Sequence, residues 1–282
     1  MIGRLKKYIA FQIAAKNKAE FSINISYLIS NLPKTPVKNI ELVSYSGSKY
    51  FLDQLLSIFS FYYNYGIPEK WIIFSDGTYT NEEVDIFKSI KNVEIKHFDF
   101  GFLPLSITSQ FDKFPTLKKL YIFSNINIIS TTIFIDSDII FYQSCKKYLN
   151  DISNDNFYIE DESNYYFDEE YLKTNSNIQH PLNLGMIILN TRPDWNVALD
   201  YLQKKIYSNE LDYWSDQTAM HILATDPTLK FVPLNKYKFV VGGNDNFKIC
   251  HSCDYSSIAV RHFVGPIRHK MWQYSWKKVL GL

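Results

Sequence analysis

Thr131-Thr132-Ile133-Phe134-Ile135-Asp136-Ser137-Asp138-Ile139-Ile140-Phe141 is the stretch on which the reading of the fold turns. The unbroken β-branched and aromatic run Thr131 to Ile135 reads as a core strand, the kind that parallel sheets bury on both faces. It stops at two carboxylates spaced two apart. Strand alternation would point Asp136 and Asp138 to one side and Ser137 to the other. Two converging carboxylates repel unless something lies between them, and a hard divalent cation, Mg²⁺ or Mn²⁺, is the natural partner, able also to bridge the oxygens of a diphosphate. A solvated strand end holding nothing is the plain alternative.

Working outward, short apolar runs alternate with helical periodicity, the pattern of a mostly parallel sheet with crossover helices. Ile40 to Val43 reads as a first strand, followed by a Ser44–Ser48 turn that contains Gly47. Phe51, Leu55, Leu56, Ile58 and Phe59 then form the apolar face of a helix. Trp71 to Phe74 reads as a second strand, ending in Ser75-Asp76-Gly77, and Val93 to Phe98 as a third. Leu117 to Phe123 lies in a helix. No internal repeat or low-complexity tract interrupts this order. The picture from residue 40 to 282 is one nucleotide-binding-like α/β domain whose loops at the carboxyl ends of strands hold the ligand.

Composition is permissive. The 282 residues carry 30 Lys and Arg against 29 Asp and Glu, a net charge of +1, which gives no support to a nucleic-acid partner. No apolar run approaches the roughly 20 residues of a membrane span. Three cysteines, Cys145, Cys250 and Cys253, with no cleavable leader, favour free thiols and a cytoplasmic location. Cys250 and Cys253 form a CxxC around His251, but a zinc site needs a second ligand pair and none is near.

Residues 1–39 read as a separate helical extension. Ile2, Leu5, Ile9 and Ile13 recur at helical spacing, and Arg4, Lys6, Lys7, Lys16 and Lys18 precede the first acid, Glu20. Such a basic amphipathic helix either packs on the main domain or, through residues 1–20, lies on an anionic membrane surface. Asn31, Pro33 and Pro36 mark a linker.

Three further segments could carry chemistry. In Pro181 to Asn190, Asn183 offers an amide that both donates and accepts, and Gly185 lets a ligand approach the backbone; a plain turn into a strand has the same pattern. Asp212 to Gln217 precedes a helix, where Ser215 or Asp216 would serve as an N-cap. Arg261 to Trp272 is dense in basic and aromatic residues: His262 could ligate a metal, and Arg268 and Lys270 could neutralise phosphate. The acidic, aromatic stretch from Glu160 to Glu170 reads either as an acceptor-side loop or as a solvated one.

In this order, over about residues 40 to 272, these segments resemble the retaining nucleotide-sugar glycosyltransferases of the GT-A fold, most closely the family-8, glycogenin-like group. The resemblance implies a Rossmann-like α/β fold with a mostly parallel central sheet and flanking helices. It implies Asp136 and Asp138 as metal ligands, completed by His262 from a His-x-x-Gly-x-x-Lys motif that keeps Gly265 and has Arg268 in place of the Lys. Asn183 and Gly185 match an Asn-x-Gly that contacts donor sugar and active site, and Asp216 and Gln217 match an Asp-Gln pair beside the anomeric carbon. Lys119 stands where the family has an Arg. By position, the Ser44–Gly47 turn and Asp76 would surround base and ribose, with Ser137, Gly265, Arg268 and Lys270 on the donor side. The implied reaction moves a sugar from a nucleotide-diphospho-sugar, a UDP-sugar by resemblance, to a saccharide, glycolipid or protein acceptor, with Mn²⁺ or Mg²⁺ as cofactor. Two rivals remain. A hydrophobic strand ending in Asp-x-Asp also opens the haloacid-dehalogenase-type phosphatases, and Phe239 to Asp245 is similar to their second acidic motif. A sugar-nucleotide binder without turnover is the other.

Overall fold

The structure, a computed structural model, describes residues 2–37, 39–161, 166–175, 178–242 and 257–282. Strands β1 (Ile40–Ser46), β2 (Lys70–Ser75), β3 (Val93–Lys96) and β4 (Thr131–Ile135) lie side by side in the order β3-β2-β1-β4, all parallel. The chain leaves this sheet through β5 (Ile139–Phe141) and returns with β6 (Asn156–Glu160), β7 (Leu182–Leu189) and β8 (Phe231–Pro233), completing the order β3-β2-β1-β4-β7-β6-β8. β7 runs antiparallel to both β4 and β6, while β6 and β8 are parallel. A second, three-stranded sheet sets β5 antiparallel to β10 (Val260–His262), itself parallel to β9 (Phe239–Val241).

Side-chain alternation along β4 divides the core in two. Ile133 and Ile135 face one layer, built with α1 (Ile2–Ile23), α2 (Ile25–Ser30), α3 (Phe51–Asn64) and α4 (Asn81–Ser89). Phe134 faces the other, with α5 (Leu105–Thr108) and α6 (Thr116–Ser124). α7 (Cys145–Asn150), which carries the buried free thiol of Cys145, joins the first layer. Beyond α8 (Glu169–Thr174), α9 (Asn196–Ser208) and α10 (Ser215–Thr225) cover the second. A 3₁₀ helix, Gly265–Trp272, and α11 (Trp276–Leu280) close the chain on the first.

Several sequence expectations need correction. β1 continues to Ser46, so Ser44 lies inside the strand and not in a turn: it is fully buried, and its Oγ accepts from Trp71 Nε1 at 3.3 Å. β3 ends at Lys96, and Phe98 instead packs with Phe74 and Phe100. Residues 2–30 form two helices that share the main core. Their buried face is Ala10, Ala14, Phe21, Ile25 and Leu28, whereas Leu5 and Ile9 are exposed. Alanines admit the close approach, and Phe21 then meets Phe59, Trp272 and Trp276 edge-on, with ring centroids 5.9, 5.2 and 6.0 Å away. Lys18 pairs with buried Asp53 at 2.8 Å, and Asn17 Nδ2 donates to Trp272 O at 2.8 Å. In the Glu160–Glu170 stretch, Glu160, Asp161 and Asp168 are buried, so it is not simply a solvated loop. Asp168 caps α8 and holds Lys205 at 3.1 Å. Cys250 and Cys253 lie outside the described residues, as do Gly243 to Asp245 of the phosphatase-like motif.

Candidate functional site

Asp136 and Asp138 sit in the turn between β4 and β5, not on a continuing strand, yet their carboxylates still converge. The ladder extends one residue past β4, where Asp136 N donates to Gly185 O of β7 at 2.9 Å. β10 brings the third member. His262 pairs with Ile139, and Phe263 N donates to Asp138 O at 2.9 Å, so backbone pairing alone sets the imidazole beside the carboxylates. His262 Nε2 is 3.2 Å from Asp138 Oδ1 and 3.6 Å from Asp136 Oδ2. One ligand atom from each of the three residues falls within 4.8 Å of the others.

Each of the three side chains is held from behind. Asp138 is fully buried, and its Oδ2 accepts from Arg268 Nε at 2.7 Å and Nη2 at 2.6 Å. Burial would raise its pKa, but His262 and Arg268 outweigh that and hold the carboxyl well below its usual range. Asp138 Oδ1, although buried, makes no hydrogen bond among the described residues. An orphaned carboxylate oxygen facing a second carboxylate and an imidazole nitrogen is the donor set a hard-to-borderline divalent cation takes, so the residues present fit such a metal. Lys119 donates to Asp136 Oδ1 and, at 2.9 Å, to Leu184 O. Burial works against the protonated form of His262, but Asp138 and then Asp136 raise its pKa overall.

The orientation of His262 comes from β7. Its Nδ1 lies 2.8 Å from Asn183 Oδ1, which also accepts from Gly185 N at 2.9 Å, while Asn183 Nδ2 donates to Asp161 Oδ2 at 2.7 Å. With Asn183 Oδ1 as acceptor, Nδ1 carries the proton and Nε2 faces the carboxylates, an outer-shell arrangement typical of ligating histidines. A Cβ on Gly185 would stand 2.2 Å from the His262 ring. The glycine therefore makes room for a side chain.

The remaining sequence candidates distribute around this point. Asp216, buried at the start of α10, accepts from Gln217 N at 2.8 Å; burial raises its pKa against the lowering effect of Lys119. Gln217 Oε1 accepts from Leu184 N at 3.4 Å, and its Nε2 donates to Tyr166 O at 2.9 Å. Asp76 lies against Gly47, where a Cβ would fall 2.1 Å from its carboxylate, and takes Thr78 N at 2.9 Å. Gly265 is exposed at the start of the 3₁₀ helix, with open space where a Cβ would stand. Arg268 stays partly exposed and lies over the Tyr50 ring, 4.2 Å from its centroid. Lys270, by contrast, is only 1 % exposed, and Ser137 is buried. Sequence reasoning missed Tyr50 and Asp161. Asp161 stood in a stretch read as a loop, and only the β6–β7 register bulge at Tyr158/Ile159, which pairs Ile159 with Asn183, brings it to the site.

Comparison of the sequence with protein families and with curated proteins matches none. Comparison of the fold does. The galactosyltransferase LgtC, solved with donor and acceptor sugar analogs, aligns over 86 % of this chain and 95 % of its own, with TM-score 0.59 and 14 % identity. Mouse xyloside xylosyltransferase 1 aligns over 82 % of this chain and 99 % of its own, with TM-score 0.54 and 10 % identity. The glycosyltransferase GlyE of Streptococcus pneumoniae aligns over 87 % and 63 %, with TM-score 0.52 and 13 % identity. The chain has the GT-A fold of these glycosyltransferases.

Proposed function

We propose that the protein is a metal-dependent glycosyltransferase that moves a sugar from a nucleotide-diphospho-sugar, a UDP-sugar first among the candidates, to an acceptor hydroxyl with retention of configuration. The observation that carries this reading is the convergence of Asp136, Asp138 and His262 within 4.8 Å at the carboxyl end of the sheet, where such folds bind ligands. Asp136, Asp138 and His262 would hold a divalent cation, which would supply positive charge to the departing nucleoside diphosphate. The chain's own residues do the rest. Arg268, fixed by the Asp138 carboxylate and the Tyr50 ring, presents its remaining donors to the diphosphate, with Gly265 leaving room for it. Lys270, on the same 3₁₀ helix, is buried, and Ser44, assigned with the following turn to base and ribose, is buried and holds the Trp71 indole. Gly47 and Asp76 are assigned to base and ribose. Asp216 and Gln217 are assigned to the sugar, where the Asp216 carboxylate can accept from a sugar hydroxyl and the Gln217 amide can both donate and accept. Preorganised charge around the breaking C1–O bond is then the main catalytic contribution.

The test is a melting-temperature panel of nucleoside diphosphates and sugar nucleotides with and without Mn²⁺, followed by assay of nucleoside diphosphate release. A Mn²⁺-dependent stabilisation by one nucleotide, with release of its diphosphate, is expected. Stabilisation without release would leave the inactive binder. Hydrolysis of a phosphomonoester in place of both would restore the phosphatase, which the glycosyltransferase fold matches disfavour.

A further inference from the structure

Helix α1 turns Ala10, Ala14 and Phe21 inward and Leu5, Tyr8, Ile9 and Ile23 outward. Leu5, Ile9, Gln12, Lys16, Ala19 and Ile23 repeat at alternating steps of four and three along one line of the helix, and all six are exposed. Leu5 is 59 %, Ile9 43 % and Ile23 83 % exposed, with Tyr8 beside them at 61 %. The opposite face is fastened by Phe21, by Lys18 to Asp53 and by Asn17 to Trp272, so rotation of the helix cannot hide the outward stripe.

Charge says what covers it. The first 19 residues hold five Lys and Arg and no acid, leaving 25 Lys and Arg against 29 Asp and Glu in the remainder. Those five precede the one acid of α1, Glu20, so the element that exposes the stripe is locally basic in a chain that is otherwise slightly acidic. Lys6, Lys7 and Lys16 are exposed there, and Lys16 lies within the stripe, where its stem can follow the apolar side chains while its ammonium reaches outward. A second copy docking through the same face would oppose two basic helices, whereas a bilayer with anionic headgroups complements both the charge and the apolar side chains.

We infer that α1 is a membrane-surface helix that lies in the interface of an anionic phospholipid bilayer with Leu5, Tyr8, Ile9 and Ile23 inserted among the headgroups. Among the described residues no helix is long and apolar enough to cross a membrane, so the contact lies on the bilayer rather than through it. The docked helix is continuous with the site, since Phe11 stacks on His269 at 4.4 Å within the 3₁₀ helix that carries Arg268.

Co-sedimentation of the full chain with vesicles of phosphatidylcholine plus phosphatidylglycerol, against phosphatidylcholine alone, tests this. Binding to the anionic vesicles only, weakened by salt, is expected. Leu5→Glu with Ile9→Glu should weaken it at least about tenfold, and Lys6→Gln with Lys16→Gln should weaken it as well, both with unchanged melting temperature because these side chains are already exposed. No binding to anionic vesicles, or undiminished binding by the Leu5→Glu, Ile9→Glu variant, would overturn the inference. So would concentration-dependent dimerisation that this variant abolishes, which would make a second copy the occupant. The readout does not involve sugar transfer, so it stands or falls apart from the proposed function.

Discussion

A methyl group on Gly185 would lie 2.2 Å from two atoms of the His262 ring, so this glycine is required by a neighbour and not by its own backbone angles. Gly185→Ala should displace the imidazole, and Asn183→Ala should remove the acceptor that fixes its Nδ1. Each should weaken Mn²⁺ binding by about 10- to 100-fold, the usual cost of losing an outer-shell partner, as read by calorimetric titration without nucleotide. Unchanged metal affinity in Asn183→Ala would show that His262 needs no such support. Asp138→Asn is a harsher change, because it removes the negative charge that pairs with partly exposed Arg268 and faces buried His262. Nucleoside diphosphate release should fall by more than about 100-fold while the circular dichroism spectrum is retained; near-normal release at limiting Mn²⁺ would remove Asp138 from the site. Sequence reading singled out Asn183, Gly185 and His262 separately. It could not join them, because the contact between Asn183 and His262 spans 79 residues and depends on which strand β10 chooses.

Elements read from the sequence in proportion to their length and periodicity. β4 is marked by five consecutive strand-forming residues, and α10 by Met220 and Leu223 on one face, but β5, β9 and β10 have three residues each and are strands only because they pair with one another. α10 also holds a group that no spacing marks. His221 is 2 % exposed, sits beside the rings of Phe167 and Tyr171, and its Nδ1 has no hydrogen bond among the described residues. Burial lowers its pKa to about 4. Below about pH 6.5 the unfolded chain therefore binds a proton that the folded ring refuses, so stability falls as pH drops from about 6.5 to about 4, by up to ~3 kcal/mol from this residue. Chemical denaturation of the protein and of His221→Phe across that window checks it: the variant should lose part of the slope, and parallel profiles would show that His221 is not the source. Because Asp216 and Gln217 occupy the first turn of the same helix, loosening here reaches the site before it reaches the rest of the sheet.

For the molecule as a whole, the question is whether residues 1–39 are an appendage or part of the domain. The sequence pattern reads as a helical extension, with Pro33 and Pro36 as a break after it, and leaves open whether its large apolar face packs on the main domain or lies on a membrane surface. The structure uses the other face. Phe21 and Leu28 are fully buried in the same apolar layer as β1 and β4, and Trp272 Nε1 donates at 2.6 Å to the Asp53 carboxylate that Lys18 also holds. Ala10 and Ala14 stand beside larger apolar residues, Ile9, Phe11 and Ile13, which is why the packed face could be seen only once Phe21, Trp272 and Trp276 were in place. A core shared in this way has to melt as one. Phe21→Ala removes a ring that packs against three aromatic partners and should cost ~3–5 kcal/mol, lowering a single cooperative transition seen alike by far-ultraviolet circular dichroism and tryptophan fluorescence. Were the two helices an independent extension, the variant would melt in two steps and the fluorescence transition of the main domain would stay where it was. The same result bears on the cluster of Asp136, Asp138 and His262, since the layer that Phe21 completes also backs the 3₁₀ helix from which Arg268 reaches Asp138. A Phe21→Ala protein assayed well below its melting point should therefore need more Mn²⁺ for half-maximal activity, and an unchanged requirement would mean that the site is insulated from the layer beneath it.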